Sequence, residues 1–545
     1  MKKLSEAILV LVVLGLVFIP LGCKGGGGGG HHGGKGSKVF YVNGESTGML
    51  EEGTIEYPFK TIQAAVYACE GLNKPCEIRV GEYMYEENIG AHGDIKLMGG
   101  YIINDPTKPD FSERDPQIHP TAIIGVSKVI PITLYWINPG RFEVDGFTIL
   151  GGGIAGIMAL CDDNGKVVIS NNIIGGNLYG GVMVAASPSY LSPNSDVINA
   201  SLEMTDNLIL YNGYFGFMIR AVSDENNTKT KINVKISNNS LYSNYYVGGI
   251  IEAYSDNGSD VELTGEVSNN IFVGGALGGL GIGSETAHSV SLSYPEGNAS
   301  VDIKSKNNLI AFNILVGMAI GAKTDDVTGN AKTKVSSTND TVFMNGFDFG
   351  ANFGGEGGGP GTADIKLDIR NDIIGYNLFE YFGQNFMGTL VLGDSVFVKY
   401  SDVMDEGLSV DGNIDATSVF VNAPIYGEYG ATFADPSILI VNDANFYALH
   451  DIIEIDNDGV AREISAINIP GNAITFIPAF TADTTGEHFV LNYGPGGADG
   501  GWNFHLFPGS PCENTGDPDI RNADGSRSDM GAYGGPNGGV IGKTW

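Results

Sequence analysis

Arg220 and Glu252 are the side chains in this sequence with the best claim to chemistry. Abstraction of a proton beside a uronate carboxylate needs a basic group, usually with calcium to acidify the carbon. With Lys323 close by in the repeat register described below, a lyase site could be assembled from the three. Hydrolysis of a glycosidic bond instead needs two facing carboxylates, about 5 Å or about 6.5–9.5 Å apart. Neighbouring acids occur at Asp162-Asp163 and Asp325-Asp326. Adjacent residues of a strand point to opposite faces, so adjacency alone builds no such pair. Asp517, Asp519, Asp524 and Asp529 cluster near the end and offer oxygen ligands to Ca2+, although their spacing is not that of an EF-hand loop. No motif requires a cofactor, and no Ser-His-Asp, Cys-His or phosphate-loop pattern occurs.

The elements that must position these residues are set by a repeat over 166–384. A polar pair, usually Asn-Asn, is followed by apolar residues and a further Asn, as in SNNIIGGN at 170–177 and KNNLIAFN at 306–313. The second polar residue of each copy is Asn172, Asn207, Asn239, Asn270, Asn308, Asp340 and Asp372, at spacings of 31–38 residues. A period of that length means one supersecondary unit per copy. Inside a unit the apolar residues alternate, as Ile232, Val234 and Ile236 do, which is strand periodicity. Short strands that cannot bury a face alone and repeat at this period predict a β-solenoid. Stacked at about 4.8 Å, the marker Asn residues predict a hydrogen-bonded ladder, which is a structural role. The same register puts Ala185, Arg220, Glu252, Gly283 and Gly321 on successive coils, where an ion pair between neighbours is the plain alternative to a catalytic pair.

These features resemble the right-handed parallel β-helix proteins of the pectate-lyase-like type, over most of 38–430 and 495–540. That fold hosts lyases, hydrolases, adhesins and binding proteins, so the resemblance implies architecture more than activity. GTIEYPFKTIQAAVYAC (53–69) is similar to the family's opening turn and capping helix, with Ile62, Ala65, Val66 and Cys69 on one face. WNFHLFPGSPCENTGDPD (502–519) and DGSRSDMGAYGGP (524–536) are similar to its closing coil, with Asn514 where the family commonly has Asp. The polygalacturonase signatures are missing: there is no Asn-Thr-Asp, no Arg-Ile-Lys, and only Ala91-His92-Gly93 in place of Gly-His-Gly. The signature set of calcium-dependent pectate lyases is missing as well.

The start of the chain reads as an export signal. Lys2 and Lys3 precede an apolar run from Ile8 to Ile19, too short for a comfortable membrane span. It ends Pro20-Leu21-Gly22-Cys23, which resembles a bacterial lipobox with Cys23 as the lipidated residue, departing from the usual Leu at Pro20. A glycine-rich tether follows at 24–37. Of the 5 cysteines, Cys69 and Cys76 flank a short Gly/Pro loop and are either bridged or two free thiols, while Cys161 and Cys512 have no evident partner. The segment 431–494 drops the Asn turn for longer alternating strands, predicting a small inserted β-barrel or sandwich before a final coil at 495–545.

With 63 acidic and 30 basic residues, a net charge of −33 argues against nucleic acid or anionic membrane surfaces as partners; the membrane would be met through the lipid alone. The expectation is therefore an all-β chain: signal peptide 1–23, tether 24–37, solenoid 38–430 with a short N-terminal capping helix, insertion 431–494 and final coil 495–545. The expected role is an outer-membrane or cell-surface protein that binds a polysaccharide, surface glycan or other surface partner without chemistry. Turn aromatics Tyr211, Tyr214, Phe215, Tyr242, Tyr245 and Tyr246 would offer stacking surfaces for sugar rings. The alternatives are a lyase or hydrolase using Arg220 and Glu252, and a structural stalk or surface-layer component.

Overall fold

The computed structural model describes residues 38–542, apart from 73, 106, 108, 127–129, 135–139, 162–163, 188–196, 224–227, 256–258, 287–296, 325–328, 356–361, 376–385, 389–395, 404–410, 417–419, 424–425, 457–459, 483, 496–502 and 540. The candidate acids at Asp162-Asp163 and Asp325-Asp326, and the lipidation candidate Cys23, lie outside the described residues.

Three parallel sheets, here called A, B and C, hold 12, 11 and 10 strands among the described residues. One coil visits each sheet once. In a representative coil Lys229–Ser237 lies in sheet A, Ser240–Tyr242 in sheet B and Val247–Ser255 in sheet C. Every neighbour in a sheet is the equivalent strand of the next coil, as in Ile232↔Leu263 and Ile251↔Ile282. The alternation read from the sequence becomes an inside and an outside. Ile232, Val234 and Ile236 are buried against Ile219 and Ile251 in one continuous core. Alternate positions face out, and on sheet A they pair across coils, Lys231 with Glu262 at 2.5 Å and Lys306 with Glu266 at 2.6 Å.

The sharp corner between sheets A and B divides its work between two residues. The first takes the left-handed conformation: Asn171, Asp206, Asn238, Asn269, Asn307, Asn339 and Asn371 all have φ between 53° and 60°. A short polar side chain tolerates that region best. The second builds the ladder. Asn172, Asn207, Asn239 and Asn270 each donate Nδ2–H to the Oδ1 of the next, at 2.8–3.0 Å, ending on Asn308. A second column joins Asn177, Asn212 and Asn244 at 2.8 Å, is interrupted at Gly275, and resumes from Asn313 to Asn345.

The open N-terminal end is plugged by the helix Ile62–Glu70, which buries Ile62, Ala65, Val66 and Cys69. Thr61 caps it, its hydroxyl accepting from Ala64 N–H. Cys69 and Cys76 are joined by a disulfide, which resolves the alternatives left by the sequence. Cys161 and Cys512 are buried thiols.

Past the last described coils, six antiparallel strands between Tyr426–Asp435 and His488–Pro495 close into a barrel with its own core around Ile453, Ile464 and Phe476. The chain then returns along Asn503–Leu506 and runs back over the left-handed corner residues. Asn371 accepts from Asp517 N–H, Asn339 donates to the Asp529 carbonyl at 2.8 Å, and Asn307 donates to Ala532 and Gly534 carbonyls at 2.8 and 2.7 Å. Gly542 N–H reaches the carbonyl of Asn269 at 2.7 Å. This return segment covers sheet B with Phe504, Met530, Ala532 and Ile541.

Candidate functional site

The strands of sheet C carry the candidate site on their outer face. Val184, Ile219, Ile251, Ile282 and Ile320 point into the core, so the residues one position on point out. The register sets Ala185, Arg220, Glu252, Gly283 and Gly321 side by side on five successive coils. Arg220 Nε lies 2.8 Å from Glu252 Oε2, and the guanidinium sits 5.8 Å from the ring centre of Tyr254. The Nε–H makes no directed hydrogen bond despite that short distance, so the contact is an ion pair and not a hydrogen-bonded fork. Two residues along the strands the pattern recurs with reversed sign, Lys323 Nζ meeting Glu285 Oε1 at 2.9 Å.

Beside the two ion pairs, on the coils that follow Glu252, the face is almost bare. Gly281, Gly283, Ala319 and Gly321 occupy the outward positions there. Side chains would fit: a Cβ on Gly281 would meet only a backbone oxygen at 3.8 Å, and one on Gly283 nothing nearer than 3.5 Å. The result is a shallow floor of backbone with two charge pairs beside it. A ligand lying across the strands would touch several coils at the interstrand spacing of about 4.8 Å.

The turn leading into sheet C supplies the aromatic border. Tyr179, Tyr214 and Tyr246 stack with ring centres 4.8 and 4.6 Å apart and planes within 17°. Their faces are therefore largely occupied by one another. This corrects the expectation for the turn aromatics. Phe215 is buried and Tyr242 half-buried, and only Tyr211 and Tyr245, at 66% and 64% exposure, present open surface. Tyr179 was missed, although it stands two residues after Asn177 as Tyr214 does after Asn212 and Tyr246 after Asn244.

The chemical capacity of this face is limited by its pairing. A guanidinium stays protonated in proteins and cannot take a proton. Lys323 is held by Glu285, and Glu252 by Arg220, so each candidate acid or base is committed to an opposite charge. What remains is hydrogen bonding and shape.

The four aspartates near the end each have protein partners of their own in the structure. Asp517 is buried against Arg370 at 3.1 Å. Asp519 donates its N–H to Asp517, Asp524 accepts from Ser526, and Asp529 accepts from Asn514 N–H at 2.6 Å. The carboxylates of Asp517, Asp524 and Asp529 thus each accept from a backbone N–H nearby in the chain. Among the described residues no three metal-ligating side chains converge anywhere.

Three parallel sheets visited in rotation by every coil decide the architecture. This is a parallel β-helix. No protein-family model matches the sequence, and no curated protein matches it. Among solved structures, the crystal structure of pectate lyase Pel9A is similar to this β-helix, with a TM-score of 0.41 and 12% identity over 91% of this chain and 96% of that chain. The likeness is one of fold.

Proposed function

We propose that this β-helix is a lipid-anchored protein of the bacterial outer membrane or cell surface, and that it binds a glycan or another surface partner on the outer face of sheet C without turning it over. The carrying observation is the glycine floor beside Arg220–Glu252 and Glu285–Lys323, where Gly281 and Gly283 have room for side chains and carry none. Two cations balanced by two carboxylates leave the face without net charge, which suits hydroxyl-rich ligands better than a polyanion. Calcium has no evident part in this reading.

The test joins a glycan array to assays for new reducing ends and for unsaturated uronates, on pectin, alginate and chondroitin, with and without calcium. Binding without either product is expected. Arg220→Ala removes the one cation on the floor's buried side and leaves Glu252 unpaired, so affinity should fall by about tenfold or more. Turnover that vanishes in Arg220→Ala would replace this proposal with a lyase.

Anchoring is tested separately. The Pro20-Leu21-Gly22-Cys23 sequence and the glycine tether behind it support attachment through Cys23. Cys23→Ser is expected to move the protein from the membrane fraction to the soluble one, and unchanged fractionation would refute the lipid anchor.

A further inference from the structure

Where the return segment crosses sheet B it borders a partly open hollow of about 160 Å³, with His505 and Glu513 exposed at its rim. Ile373 of sheet B, Phe504 of the returning strand and Met530 of the C-terminal segment give it an apolar wall. His505, Glu513, Asp529 and Tyr533 give it polar groups. Its lining comes from sheet B and the C-terminal segment, apart from the face of sheet C.

The hydrogen-bonding pattern of the polar groups is one-sided. His505 Nδ1 stands 2.7 Å from Asn503 Oδ1, an acceptor, so Nδ1 carries the hydrogen and Nε2 offers a lone pair. Burial lowers the His505 pKa, which keeps the ring neutral at pH 7. Glu513 Oε2 accepts from Gly509 N–H at 2.8 Å, and Asp529 Oδ1 accepts from Asn514 N–H. Those bonds fix both carboxylates and leave one oxygen of each outside them. Burial also pushes the Tyr533 hydroxyl up to about 12, so it keeps its proton.

The geometry points to a binding site for one neutral sugar ring, its hydroxyls donating to the imidazole and carboxylate acceptors and its C–H face resting on the apolar wall. Two other ligand classes fit worse. A uronate would meet two carboxylates, and no Lys or Arg lines the cavity. A quaternary ammonium ion would find no open aromatic cage, because the His505 and Tyr533 rings lie on each other with centres 3.7 Å apart. The site is independent of the proposed binding face, and different substitutions report on each.

The experiment titrates the full-length protein with a panel of methyl hexopyranosides, with sodium glucuronate and with tetramethylammonium, following the histidine ring protons by NMR. The His505 resonances are assigned by their loss in His505→Phe, which keeps a ring against Tyr533 and removes the acceptor. A saturable shift of those resonances with at least one neutral glycoside is expected in the wild-type protein. His505→Phe should bind the same glycoside about tenfold more weakly, by calorimetry, with an unchanged melting temperature. Glu513→Gln, which keeps an acceptor for Gly509 and removes a charge, should let glucuronate compete. The assignment is overturned if no neutral glycoside shifts His505, if glucuronate or tetramethylammonium binds the wild-type protein more tightly, or if both variants bind like wild type.

Discussion

Replacing Asp340 by Asn is expected to stabilise this β-helix above pH 6 and to leave it unchanged near pH 4. The ladder runs through Asn residues as far as Asn308 and then meets two acids, Asp340 and Asp372, both fully buried. Asp340 Oδ1 serves as an Asn oxygen would, accepting from Asn308 N–H at 2.7 Å and Asn308 Nδ2–H at 3.0 Å. Its Oδ2 stands where every earlier rung places a donor. Ser337 Oγ contacts both Asp340 Oδ2 and Asp372 Oδ2, and one hydroxyl hydrogen cannot serve two ionised carboxylates. At least one acid must therefore keep its proton. Burial, opposed by hydrogen bonds from Ser305, Ser337 and Asn308, pushes Asp340 up to about 6; burial and the neighbouring Asp340 push Asp372 higher as well.

The sign follows from linkage. A carboxyl whose pKa is raised by folding holds its proton more tightly in the native state, so stability is full below the unfolded value. It is lost as pH rises through the folded value. The loss from about pH 4 to about pH 6 amounts to roughly 3 kcal/mol at 1.36 kcal/mol per unit. Asp340→Asn removes that loss, supplies the missing donor to Asp372 and restores the pattern of the earlier coils. Chemical denaturation of both proteins from pH 4 to pH 8 measures the difference. Parallel curves, or a gain that is already present at pH 4, would show that the pair shares no proton.

Asn239→Leu should cost about 1–3 kcal/mol at every pH. Asn239 is fully buried, and its Oδ1 accepts from the backbone and side chain of Asn207 at 3.0 and 2.8 Å. Its Nδ2–H groups reach the carbonyls of Met204 and Ser237 and the Oδ1 of Asn270. Leucine fills the space but leaves the Asn207 donors buried without an acceptor, and an unmade buried hydrogen bond costs more than a made one contributes. Asn199→Leu is the control, because Asn199 bonds only Asn164 on the exposed side of sheet A. Its change should fall within about 0.5 kcal/mol of zero. Equal shifts in the two variants would mean that the ladder contributes nothing particular to stability.

Both predictions start from residues that the sequence already marks. The period of 31–38 residues, the alternation through Ile232, Val234 and Ile236, and the seven polar pairs were enough to establish a solenoid and the position of its corners. Each coil buries its face only by stacking on an equivalent coil, so the pattern has to repeat visibly along the chain. The same repeat aligns Arg220 with Glu252 on neighbouring coils. Asp340 and Asp372 were visible as departures from Asn, but their shared proton depends on Ser337 standing between two carboxylates, which spacing alone does not reveal.

What the tertiary structure decided lies where residues far apart in sequence meet. The amino-acid pattern determined the parallel β-helix and the outward register of Arg220, Glu252, Gly283 and Gly321, because these follow from local alternation and the repeat length. It did not determine that Asp529 would bond Asn514 and Asn339, or that Tyr214 would stack between Tyr179 and Tyr246. Nor did it show that the segment after the barrel would turn back over four corners and border a hollow beside His505. The contacts of the returning segment with the four corners join residues 146 to 273 positions apart, from Asp517 and Asn371 to Gly542 and Asn269. No repeat encodes them; they arise from the barrel's closure, which returns the chain to a sheet already built.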